Sequence, residues 1–60
     1  MKKCYHINGY IVSLNPVNFG YDAGIYTVYG QTVKRRFCET EEHALKAFYR
    51  FCKQAKRRRV

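Results

Sequence analysis

Apolar residues recur at every second position on both sides of Asn8-Gly9, at Tyr5 and Ile7 before it and at Tyr10, Val12 and Leu14 after it. Asn-Gly is the preferred pair for a two-residue type I′ turn, so Cys4–Ile7 and Tyr10–Leu14 are expected to pair as a hairpin. Ile7 then faces Tyr10 and Tyr5 faces Val12, and Tyr5, Ile7, Tyr10, Val12 and Leu14 share one apolar face. A single bent strand through Gly9 is the other arrangement this pattern allows. Asn15-Pro16 is expected to end the strand, and the Asn-, Gly- and Asp-containing stretch to Gly24 reads as a loop, with Phe19 or Tyr21 folding back onto the core. A second hairpin is expected at Gly30-Gln31, where a leading Gly suits a type II′ turn. Its register pairs Tyr29 with Thr32, Val28 with Val33, Thr27 with Lys34, Tyr26 with Arg35 and Ile25 with Arg36. Tyr26, Val28, Val33 and Phe37 then face inward, with Arg35 lying across Tyr26 to reach water at the sheet edge. Thr27, Tyr29, Thr32, Lys34 and Arg36 face outward.

After Cys38 the period changes. Thr40 offers a side-chain oxygen to cap a helix, and Glu41 and Glu42 fill the first turn, where the helix dipole favours anions. Ala44, Leu45, Phe48, Phe51, Cys52 and Ala55 follow at the spacing of one helical face. Lys46, Arg50, Lys53 and Arg57 fall on the opposite side. The expected fold is α+β: a three- or four-stranded antiparallel sheet with one C-terminal amphipathic helix packed on one face. Residues 1–60 read as one small basic domain, with a disordered basic tail from about residue 57.

Sixty residues bury only about 60% of the surface of the unfolded chain, so a few large side chains must pack well. Six Tyr and four Phe provide them. Charge changes the picture more. The formal net charge is +8, yet there is no Lys or Arg between Cys4 and Val33, and ten of the basic residues lie from Lys34 onward against three acidic ones. This asymmetry points to a polyanionic partner: a nucleic acid, an acidic protein surface or, in third place, anionic lipid. No signal peptide or long apolar run is visible, and the three cysteines have no regular spacing, which predicts a cytoplasmic protein without disulfides, Cys52 being a small core residue.

Catalysis is not expected. Three of the four acids cluster at the helix start, where capping explains them, and neither His6 nor His43 is followed by an acid that would orient its ring. Cys4-x-His6 and Cys38-x4-His43 hold the atoms for a tetrahedral zinc, but their spacing matches no common zinc module, so neither a metal nor another cofactor is expected. Nucleic-acid binding fits better. Thr27, Tyr29, Thr32, Lys34 and Arg36 on the outward sheet face combine cations, hydroxyls and an aromatic, a surface suited to the major groove of DNA. Lys2 and Lys3, with Arg57, Arg58 and Arg59 in the tail, would add phosphate contacts without sequence information. The plainer account gives those Tyr and Thr to β-propensity and the cations to protecting an edge strand.

Asn8-Gly9-Tyr10 in a strand, a hairpin ending Lys34-Arg35-Arg36-Phe37, and Thr40-Glu41-Glu42-His43-Ala44 opening a helix together resemble the small sheet-plus-helix DNA-binding domains at the N-termini of phage tyrosine integrases (arm-binding domains) and, more distantly, AP2 domains. The resemblance covers Tyr5 to Lys53. It implies a three-stranded sheet laid in the major groove of duplex DNA with the helix behind it. The tryptophans usual in AP2 domains are absent and no recombinase domain follows, which implies a free-standing phage or mobile-element protein. The rival expectation is a small phage-type inhibitor that binds a host protein or defence complex, its uncharged aromatic half serving as the contact face. No membrane role is expected, because the apolar helix face is needed by the sheet.

Overall fold

The computed structural model describes residues 2–58. Four strands, β1 (Lys3–Ile7), β2 (Tyr10–Val17), β3 (Gly20–Thr27) and β4 (Thr32–Cys38), form one antiparallel sheet in the order β1-β2-β3-β4. The helix α1 (Glu41–Arg57) packs across one face of it. The sheet has four strands, and the fold is the expected α+β arrangement.

The first hairpin forms as the Asn-Gly pair dictates. Asn8 and Gly9 both take positive φ, 51° and 84°, and Ile7 faces Tyr10 while Tyr5 faces Val12. Residues opposite one another in a sheet point to the same side, so Tyr5, Ile7, Tyr10, Val12 and Leu14 all face the helix. Val12 and Leu14 are fully buried there with Ala23 and Ile25 of β3 and with Ala44, Phe48 and Ala55 of the helix. Thr40 caps α1 by accepting the His43 amide at 3.3 Å.

The expected loop from Asn15 to Gly24 is instead a second hairpin. β2 runs through Pro16 to Val17, only Asn18 and Phe19 turn, and β3 starts at Gly20. Pro16 is tolerated because β1 reaches only as far as Leu14, so here the strand has a neighbour on one side alone. Gly20 allows the close crossing: a Cβ there would collide with the Cys38 carbonyl oxygen and lie 2.9 Å from Phe37 Cζ. Of the two aromatics expected to fold back, Tyr21 packs on the core and Phe19 stays exposed.

The third hairpin corrects the expected register. Ile25 faces Lys34, Gly24 faces Arg35 and Ala23 faces Arg36, with residues 28–31 forming the loop. The register shifts between Ile25 and Tyr26, which leaves Val33 as the extra residue of a bulge. The bulge breaks strict alternation. Val33 packs towards the core while Phe37, of the same parity, stays 53% exposed. Both faces of β4 are therefore the reverse of those expected from Val33: Lys34 and Arg36 lie on the helix side, and Arg35 and Phe37 on the open side. Tyr26 is also on the open side, its ring covering buried Gly24.

The tail expected from about residue 57 lies mostly outside the described residues. Arg57 is the last helical residue, and Arg58 closes the helix in the left-handed conformation, its N–H donating to the Ala55 carbonyl at 3.1 Å.

Candidate nucleic-acid interface

The face expected to read DNA does not assemble. Thr27, at the end of β3, faces the helix layer, and its hydroxyl accepts the Gln31 amide at 3.2 Å across the loop. Tyr29 is in that loop rather than on the sheet, and Thr32 opens β4 opposite Tyr26 on the open side. Lys34 and Arg36 are on the other side of the sheet. Lys2 precedes β1, Lys3 lies within it opposite Leu14, and Arg57 and Arg58 end the helix. Arg59 lies outside the described residues.

On the open face the charged residues are Asp22 and Arg35, and they neutralise each other. Arg35 donates its Nε to Asp22 Oδ2 at 2.7 Å, and its second guanidinium nitrogen lies 2.6 Å from the same oxygen. That hydrogen bond, reinforced by the carboxylate charge, raises the Arg35 pKa above its ordinary value, so the cation is permanent and spoken for.

Four exposed cations, Lys34, Arg36, Lys46 and Arg50, flank the seam between β4 and α1. Lys34 and Arg36 are exposed on the strand rim, and Lys34 reaches across to the helix, its Nζ 3.3 Å from Gln54 Oε1. Lys46, Arg50, Lys53 and Arg57 are exposed along the helix, opposite its buried face, with Lys46 and Arg50 forming the helix rim of the seam. Their i, i+4, i+7, i+11 spacing makes one straight stripe, about 16 Å long at the helical rise of 1.5 Å per residue. Glu42 lies 3.8 Å from Lys46, an exposed pair that leaves the lysine available to a stronger anion. Between the rims, at the N-terminal end of the helix, is a cleft of about 420 Å³. Arg36, His43, Lys46 and Arg50 border it with one acid, Glu39, over a floor of Cys38, Ala47 and Phe51.

The sequence already placed Lys46, Arg50 and Lys53 on one helix face. Their link to Lys34 and Arg36 was hidden by the bulge, which decides the side on which the strand cations emerge.

The four side chains that could have held zinc do not converge. Cys4 and His6 are on β1 and Cys38 is on β4, at opposite edges of the sheet, with His43 in the helix beyond β4. Among the described residues no group of three or more His, Cys, Asp or Glu side chains could hold a metal ion, and no helix is long and apolar enough to cross a membrane. No protein-family model, curated protein or solved structure significantly matches the chain.

Proposed function

We propose that this chain is a non-enzymatic nucleic-acid-binding domain that grips the phosphodiester backbone, with duplex DNA as the favoured ligand. The observation that supports it is the segregation of charge. Lys34, Arg36, Lys46 and Arg50 flank one seam and Lys53 and Arg57 continue the stripe along the exposed helix face, while the open sheet face has its single ion pair matched internally. A stripe of about 16 Å covers about five phosphates at the 3.4 Å axial spacing of one strand. Its cations are carried on a rigid helix rather than a loop, so little side-chain order beyond the long stems is lost on binding. Phosphate contacts of this kind set affinity and orientation and carry little sequence information. The docking mode differs from that implied by the integrase resemblance: the helix side meets the duplex, and the sheet supports it from behind.

Fluorescence anisotropy with a labelled duplex, titrated across salt concentrations, tests this. Lys46, Arg50 and Lys53 changed together to Gln should lower the slope of log K against log salt by about 0.9 for each phosphate left without its cation. Lys34 and Arg36 changed to Gln should act in the same direction. Binding that survives both sets of changes with its slope intact would defeat the reading. Single-stranded DNA and RNA of equal length serve as competitors, and either one outcompeting the duplex would replace DNA duplex as the ligand. Retention of a host protein, in place of nucleic acid, after nuclease treatment of a lysate pull-down would favour the inhibitor reading.

A further inference from the structure

We infer that the open face of the sheet is the contact surface between two copies of this chain. The helix covers only one side of the sheet, and the other side holds a cluster of large apolar groups. Ile11 and Tyr26 face each other across β2 and β3, half-buried. Phe37 and Val17 are 53% and 43% exposed, and with Asp22 and Arg35 they border a shallow depression at one end of the same face. Around them lie Cys4, Ser13, Asn15 and Gly24, which carry no formal charge, and His6 opposite Ile11, with Gly24 sealed by the Tyr26 ring. An exposed apolar cluster with a small polar component is the composition of an interface centre.

Charge identifies the occupant. A molecule of net charge +8 repels its own copies through most of its surface. On the open face the charged side chains are Asp22 and Arg35, already hydrogen-bonded to each other, so the patch can meet its own image about a two-fold axis without leaving an unpaired charge. Among the described residues, the strands of that face offer a polyanion or an acidic protein no unpaired Lys or Arg, and such a partner is drawn to the β4–α1 seam instead. The area is sufficient for a modest dimer. Four strands of 5, 8, 8 and 7 residues, spaced about 4.8 Å apart, present roughly 400–500 Å² per copy in projection, hence about 1,000 Å² in total once side-chain relief is included. That is the lower end of specific interfaces, and it fits a dissociation constant on the order of 10–100 µM. The pairing leaves both cationic seams on the outside, so the dimer would present two phosphate-binding surfaces to nucleic acid. The dimer itself stands or falls independently of nucleic-acid binding.

Sedimentation equilibrium and an amide NMR dilution series, from micromolar to near-millimolar protein without nucleic acid, test the inference. The expected result is a monomer–dimer equilibrium that tightens as salt is added, because salt screens the repulsion between copies. Amides of Ile11, Ser13, Tyr26, Arg35 and Phe37 should shift with concentration while those of Lys46, Arg50 and Lys53 stay still. Phe37→Glu and, separately, Ile11→Lys should each weaken the dimer by at least about tenfold. The dilution series on the unaltered chain stands even where a variant folds poorly. A monomer at every concentration overturns the inference. So does association that salt weakens, or concentration-dependent shifts confined to the helix.

Discussion

Asn8, at the tip of the first hairpin, donates its side-chain amide to the carbonyl oxygen of Lys56 at 2.9 Å, closing the end of the helix 48 residues away in the chain. The same nitrogen lies 3.2 Å from the Ala55 carbonyl oxygen. One residue thus performs two tasks: its backbone supplies the positive φ of the turn, and its side chain occupies the Lys56 carbonyl and shares the Ala55 carbonyl with the Arg58 N–H.

Two substitutions separate those tasks. Asn8→Gly keeps the turn and removes the amide hydrogen bonds, and should cost about 1 kcal/mol, since the freed carbonyls are near water. Asn8→Ala also keeps a β-carbon in the left-handed region without the polar side chain that makes Asn tolerant of it, and should cost about 2 kcal/mol. Urea denaturation with an unchanged slope is the measurement. Equal losses would show that the left-handed turn position adds nothing beyond the lost contact, and no loss in Asn8→Gly would show that the helix-end contact contributes nothing.

Phe48 is the largest fully buried side chain, with its ring centroid 5.4 Å from that of Tyr5 and 5.5 Å from that of Tyr49. Phe48→Ala is expected to cost about 3–5 kcal/mol, most of the stability of so small a domain. Loss of the cooperative thermal transition would be the sign. A variant that melts like the parent would mean that the helix is held by its capping and hairpin contacts rather than by this ring.

What could be read from the sequence was what is encoded locally. Asn8-Gly9 fixes its own turn geometry and hence its register, and the Thr40 cap with the Ala44-to-Ala55 spacing fixes which helix face is buried. What could not be read depends on neighbours absent from the local pattern. Pro16 looks like a strand end until the short β1 leaves it beside an open edge. Val33 faces inward as expected and looks like a guide to the faces of β4, but the bulge it occupies reverses the residues that follow. The candidate site inherited that second error: Lys34 and Arg36 were expected on the open face, and Arg35, expected to point inward, holds that place with its charge already matched by Asp22. The contact from Asn8 to the helix end joins the two ends of the fold, and no spacing within either segment announces it.

The three cysteines should differ in reactivity. Cys4 is exposed, whereas Cys38 and Cys52 are buried. Burial raises the Cys52 pKa above the ordinary thiol value, more than nearby Lys56 lowers it. An alkylating reagent at neutral pH should label Cys4 quickly and the other two only as the protein opens. The stability consequence has a definite sign. The native state holds the Cys52 proton more tightly than the unfolded chain, so this contribution is complete below the unfolded thiol pKa, about 8.5, and is lost as pH rises through the folded value. Cys52→Ala should reduce that alkaline loss. An unchanged pH dependence above pH of about 9 would show that the thiol does not contribute to it.

Adding a cation, rather than removing one, tests which side of the molecule nucleic acid meets. Asp22→Asn removes the anion that occupies Arg35 and creates one free cation at the centre of the open face, without touching the β4–α1 seam. If the seam carries the phosphate contacts, affinity and salt slope should stay close to those of the parent, because Arg35 points away from the ligand. If the sheet lies in the major groove instead, the freed guanidinium gains a phosphate or guanine partner, and binding should tighten with a slope steeper by about one unit. The change is conservative in shape and adds attraction, so a gain in binding could not be mistaken for partial unfolding. Anisotropy titrations at two salt concentrations on parent and variant decide it. An increase in both affinity and slope would return the interface to the open face and take the phosphate-binding role away from the helix stripe.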